Sequence, residues 1–115
     1  MGVHTALEHE QIWNIMADYG TYNFPDHLSG ATMNERTFTF TSHPSGNLSK
    51  VELKTSRGET LKSGSAITIT DAVNWVFKIN AQVINWGKGN RTHGITTTSS
   101  NGVVKTFIRG TMNII

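Results

Sequence analysis

The sequence predicts a mainly β fold, α+β by count. About six antiparallel strands form a meander that closes as a barrel or stacks as a sandwich, behind one N-terminal amphipathic helix. Three observations carry this. Residues 35–115 alternate apolar and polar side chains in short runs. Clusters rich in Gly, Asn and Ser punctuate those runs at hairpin-like intervals. One stretch near the start has helical spacing and a start signal of its own.

The helix is expected at about 5–19. Thr5-Ala6-Leu7-Glu8 matches a capping box, in which the Thr hydroxyl takes a free backbone N–H and the Glu reaches back to the cap. Ile12, Ile15, Met16 and Tyr19 then share one face, with Trp13 beside them, and Gly20 is a stop. A helix this short needs a surface to cover with its apolar stripe. Residues 20–34 read as loop, broken by Gly20, Pro25-Asp26 and Ser29-Gly30.

Glu35 to His43 alternates, with Phe38 and Phe40 opposite Thr37, Thr39 and Thr41. Pro44-Ser45-Gly46-Asn47 is a turn, and Leu48 to Ser56 carries Val51 and Leu53 on one side. Arg57-Gly58-Glu59 turns again, and Leu61 to Thr70 holds Ile67 and Ile69 in alternation. Ala72 to Trp86 has the longest alternation. Val73, Trp75, Phe77, Ile79, Ala81 and Val83 fall on one face, which predicts a long strand that bends or projects. Gly87-Lys88-Gly89-Asn90 reads as a hairpin turn, and Arg91 to Ser99 as a Thr-rich edge strand able to accept another strand. Asn101-Gly102 is a hairpin signal, and in Val103 to Ile115 the residues Val104, Thr106, Ile108, Gly110, Met112 and Ile114 share one face. No repeat or linker divides residues 1–115, so the chain reads as one domain: helix 5–19, loop 20–34, β-meander 35–115.

The 37% hydrophobic and 16% charged content excludes the disordered class, which combines low hydrophobicity with high net charge. The formal net charge is +2, and Lys and Arg never form a run, so nucleic acid is not expected as a specific partner. The absence of cysteine excludes disulfides, thiol nucleophiles and cysteine metal sites. No apolar run reaches the length of a membrane span, and Met1 to Glu10 lacks a signal-peptide pattern. The expected location is cytoplasmic or within a particle, with no membrane partner.

Candidate chemistry is sparse. The histidines His4, His9, His27, His43 and His93 are scattered and read as surface residues, so neither a metal nor another cofactor is expected. Asp26-His27 would be an acid–base pair only if adjacent side chains converged. Ser29-Gly30 and Ser63-Gly64-Ser65 lack a nucleophile-elbow context. Lys88 between two glycines reads as a hairpin tip rather than an anion nest. Asn47-Leu48-Ser49 and Asn90-Arg91-Thr92 match the glycosylation acceptor pattern, which matters only in a secreted protein. Trp86 with Asn85, Asn90 and Arg91 is the best stacking cluster, though packing explains each Trp, including Trp13 and Trp75.

Ile12-Trp13-Asn14-Ile15-Met16-Ala17-Asp18-Tyr19-Gly20 resembles the helix opening of Bet v 1-like polyketide-cyclase and lipid-transfer domains. The resemblance implies an apolar cavity under a curved sheet. It covers this segment only: no strand is read ahead of the helix, and the last element reads as a strand rather than a closing helix. Val73-Asn74-Trp75 is faintly similar to a strand of avidin barrels. No functional residues carry over from either.

Three functions follow as expectations. The first is a non-enzymatic structural subunit, such as a viral or phage particle protein. It would self-assemble as a homo-oligomer, or join other particle proteins, through strand edges and termini. Its interface residues would be Tyr22, Phe24, Thr96, Thr98, Ile114 and Ile115, because exposed isoleucines at a chain end need burial. The second is a barrel or curved sheet binding a small apolar ligand or sugar through Trp75, Phe77, Trp86, Asn90 and Arg91. The third is a cyclase- or isomerase-like enzyme with Asp18, His27 or His43 as acid–base groups. The reading leans against catalysis and assigns no catalytic residue.

Overall fold

The structure, a computed structural model, describes residues 20–40 and 42–115. The predicted helix lies outside the described residues. Ten strands are present among them: β1 (Gly20–Thr21), β2 (Thr32–Met33), β3 (Arg36–Thr39), β4 (Leu48–Thr55), β5 (Thr60–Lys62), β6 (Ile67–Asp71), β7 (Val76–Ile79), β8 (Gln82–Val83), β9 (Gly89–Ser99) and β10 (Val104–Ile114). They form a five-stranded sheet in the order β1-β10-β9-β4-β5, a pair β2-β8, and a three-stranded sheet β3-β7-β6. Every pairing is antiparallel except β1 with β10. The mainly β expectation holds. The sheets do not close into a barrel, since β1 and β5 end the large sheet unpaired with one another.

The order is not a meander. β4 pairs with β9, and the intervening chain leaves the large sheet after β5 to build the two smaller ones. The departure occurs at Ser63–Ala66. There the amides of Ser65 and Ala66 both turn back on the Lys62 carbonyl, so the predicted strand 61–70 is two strands in two sheets.

The long strand predicted at 72–86 is likewise broken. Ala72–Trp75 is the turn between β6 and β7. The Asp71 carboxylate accepts from the Asn74 amide at 3.2 Å and from its side-chain N–H at 2.8 Å, closing a local turn of the kind Asp and Asn favour. Trp75 then takes a left-handed φ of 56°. Val73 is therefore 65% exposed while Trp75 is fully buried, although they alternate in sequence. After β7 the chain departs again, and β8 pairs with β2 inside the segment expected to be loop. Gly87–Asn90 is not a hairpin, because β8 and β9 are not neighbours.

The Thr-rich strand is central rather than an edge. β9 lies between β10 and β4, with ladder partners on both sides. Threonine suits this place because its methyl and hydroxyl groups fit a half-solvated pleat. In β10 the register shifts between Thr106 and Ile108, a bulge at Phe107. Phe107 and Ile108 are both buried as a result. The single face expected along β10 is split: Val104 and Thr106 pair on the outer face of the sheet with Thr98 and Thr96, while Ile108, Met112 and Ile114 turn to the core.

The core lies between the large sheet and the three-stranded sheet. Phe38 stacks on Phe77 at 5.2 Å, and Phe40 meets Phe107 from the large sheet at 5.0 Å. Tyr22 meets Phe38 edge-on at 5.5 Å. Each such pair adds about 1 kcal/mol beyond area burial. Segment 20–29 runs along β10, its amides at Tyr22, Phe24, His27 and Ser29 donating to Arg109, Thr111, Asn113 and Ile115.

Candidate functional site: the outer face of the large sheet

Alternation within each strand sends one set of side chains to the core and leaves the other on the outer face of the large sheet. On β4 the core set is Val51, Leu53 and Thr55, so Lys50, Glu52 and Lys54 face outward. On β9 the outward residues are Thr92, Gly94, Thr96 and Thr98. The register aligns these into rows, since paired residues share a face. One row is Lys54, Gly94 and Arg109, and the next is Lys62, Glu52, Thr96 and Thr106. A third is Lys50, Thr98 and Val104.

Four cations and one carboxylate therefore share this face, a net of +3 that exceeds the +2 of the whole chain. Glu52 has Lys62 opposite it, and Lys50 and Lys54 two residues to either side. An open groove of about 570 Å³ lies over Gly94, bounded by Lys54, Thr92, Thr96, Thr106 and Arg109. A second, of about 490 Å³, is bounded by Lys50, Glu52, Lys62, Thr98 and Val104 and shares Thr96 with the first. The lack of a side chain at Gly94 makes the dip, because a Cβ there would stand 3.3 Å from the Thr106 methyl. Thr96 and Thr106 hydroxyls bond one another at 2.9 Å across the floor. Ammonium groups and hydroxyls on an open floor suit carboxylates and other anions.

The expected site residues are not gathered into one place. Trp75 and Phe77 are fully buried in the core, and the Trp75 indole N–H donates to the Gly46 carbonyl at 2.9 Å. Trp86 is half-buried, with the Arg91 guanidinium 5.9 Å from its ring centre. Asn90 is exposed, whereas Arg91 points inward and is buried. Arg91 pairs with Glu59 and donates to the carbonyls of Gly87 and Gly89, which pins the 86–89 loop to the β4–β5 turn. Burial raises the Glu59 pKa, but the hydrogen bonds from Arg91 and Thr55 and the charges of Arg91 and Arg57 outweigh it and hold the carboxyl below its ordinary value. All of Arg91's stated partners belong to the fold, which makes it an anchor.

Among the expected interface residues, Tyr22, Phe24 and Ile114 are core. Ile115 is 49% exposed. Its backbone bonds to His27 and Ser29 set it opposite Leu28, which is 60% exposed. Only Thr96 and Thr98 lie on the charged face.

The acid–base candidates are apart. His27 Nε2 donates to the Ala31 carbonyl at 2.9 Å, while the neighbouring Asp26 carboxylate accepts from Asn113. His43 is exposed and stacks on Trp75 at 4.7 Å. Asp18 lies outside the described residues. His93 is buried, donates from Nε2 to the Tyr22 carbonyl at 2.8 Å, and has its pKa lowered by desolvation. Among the described residues no group of three His, Asp or Glu side chains is placed to hold a metal, and no helix is long and apolar enough to cross a membrane.

Lys50, Lys54, Lys62, Arg109 and Gly94 were not singled out from sequence. Their one local signal is Lys50-Val51-Glu52-Leu53-Lys54, charges at every second residue of a strand. The rest of the face comes from strands far apart in the chain. No protein-family model and no curated protein matches this sequence.

Proposed function

We propose that this chain is a non-enzymatic assembly subunit whose docking surface is the outer face of the large sheet, and that it takes an acidic segment of a partner protein. The observation that carries this reading is the net of +3 on one face, over two adjoining grooves floored by threonine hydroxyls. A like-charged face repels its own copy, so the contact is with a different, acidic surface, which charge complementarity would steer and select. Glu52 among the lysines favours a protein segment over a run of phosphates, which it would repel.

The test is fluorescence anisotropy of a labelled peptide of alternating glutamate and alanine, titrated with the full chain at low salt. Binding should weaken as NaCl rises, and Lys54→Glu should weaken it about tenfold, the scale of one desolvated charge pair. Gly94→Leu, which fills the groove and keeps every charge, should weaken it as well. No binding at low salt would overturn the reading, and tighter binding of duplex DNA would replace it with a nucleic-acid partner.

A further inference from the structure

The strand register leaves one gap in the outer face of the large sheet. Gly94 of β9 sits between Lys54 of β4 and Arg109 of β10 in a single row. The two cations are two strand spacings apart, about 9.6 Å between Cα atoms, with no side chain between them. Thr96 lies two residues along β9, and Thr106 is its partner on β10. On the other side of the row, Ser56 follows β4, its amide donating to the Thr92 carbonyl. Lys54, Ser56, Thr96, Thr106 and Arg109 all border the groove of about 570 Å³ over Gly94.

This border is rich in donors. The side chains of Lys54 and Arg109 carry donors and no acceptor. Ser56 Oγ accepts from the Thr92 amide at 3.1 Å, which leaves its own proton to donate. The Thr96 and Thr106 hydroxyls share one bond of 2.9 Å, so one of their two protons is engaged and the other is left to donate. Such a lining selects a group that only accepts. A carboxylate brings one charge and two oxygens. A phosphate monoester brings about −1.5 to −2 at neutral pH and three oxygens, so it matches both cations of the row and still has an oxygen for the hydroxyls. Glu52 limits the number of such groups. It lies opposite Thr96 in the adjoining row, where a second phosphate would meet a carboxylate.

We propose that the groove over Gly94 is a seat for a single phosphoryl group, carried on a phosphorylated serine or threonine of the acidic partner segment. Lys54 and Arg109 clamp the group from either side, and the Ser56 and Thr96–Thr106 hydroxyls complete its hydrogen bonds. The seat rests on the reading of this face as a docking surface for an acidic segment. It makes the contact dependent on modification of the partner.

The test compares two labelled peptides on the full chain at low salt. One is the glutamate–alanine peptide, and the other is the same peptide with its central glutamate replaced by phosphoserine. The phosphopeptide should bind about tenfold tighter. That ratio should fall towards one in Lys54→Gln, in Arg109→Gln and in Gly94→Leu, which fills the seat. It should persist in Lys50→Gln, two rows away. A ratio near one in the unmodified chain would overturn the seat. So would a ratio that survives both Lys54→Gln and Arg109→Gln, or one lost equally in Lys50→Gln, since general charge attraction then explains it. A single-stranded oligouridylate that binds tighter than the phosphopeptide would also overturn it, in favour of a nucleic-acid phosphate. The two readings fail separately: equal binding of both peptides keeps the docking face and removes the seat, whereas binding of neither removes the docking face itself.

Discussion

Gly110 shows how closely single residues are tied to this fold. It lies on the inner face of β10 opposite His93, where the backbone of segment 20–24 passes over it. A Cβ at this position would run into the Tyr22 carbonyl, which is backbone and has little room to yield. Gly110→Ala should cost at least about 2 kcal/mol, as overpacking does, with a lower denaturant midpoint as the readout. The same carbonyl accepts from His93. The folded pKa of His93 lies below 6.5, so the unfolded chain binds the extra proton as pH falls through 6.5. Stability contributed by neutral His93 is therefore present above 6.5 and lost between 6.5 and its lower folded pKa. Loss should approach about 1.4 kcal/mol per pH unit inside that window. His93→Gln keeps a donor for Tyr22 and should flatten the slope in urea titrations run between pH 7.5 and 5. An unchanged slope would assign the acid sensitivity elsewhere.

Elements are held at their ends by anchors as much as by ladders. Arg91, at the start of β9, joins Glu59 of the β4–β5 turn to the loop before β9, and Arg57 donates to the Lys88 carbonyl from the same turn. Removing one partner of a buried pair leaves the other charge or the carbonyls unsatisfied. Arg91→Ala should cost about 3 kcal/mol on that account. Arg91→Lys should recover only part of it, because a single ammonium cannot span the carboxylate and two carbonyls together. Denaturation of both variants beside Glu59→Gln, as a mutant cycle, would measure the coupling, and additive costs would rule it out. Elements are also where sequence reading succeeded and failed most visibly. Leu48–Thr55 has strict alternation and is one strand. Ala72–Trp86 alternates better still and is a turn, two short strands and a connection. Period alone does not register that Asp71 and Asn74 can close a turn, or that Trp75 takes a left-handed backbone.

For the whole molecule, the division is between a core that specifies the fold and an outer face that does not. The aromatic residues that read from sequence as ligand or contact groups, namely Trp75, Phe77, Tyr22 and Phe24, are core. Lys50, Lys54 and Lys62 are exposed on the outer face. Lys50→Glu, Lys54→Glu and Lys62→Glu should each change folding stability by less than about 0.5 kcal/mol, as exposed substitutions do, while altering peptide binding and its salt dependence. Thermal melts alongside the binding series check this. A stability loss as large as that of Gly110→Ala would make the lysines structural and weaken the case for a docking face.

From sequence alone, the strand-rich class, the Asn101-Gly102 hairpin between β9 and β10 and the buried Phe38–Phe40 and Val51–Leu53 faces could be read, because each depends on residues within a few positions of one another. Tertiary structure decided that β9 is central, that a bulge turns Phe107 and Ile108 together into the core, and that Lys62, Lys54 and Arg109 share a surface. Those outcomes depend on which strands pair and in what register. Pairing is settled by burial summed over residues far apart in the chain, which no local pattern encodes.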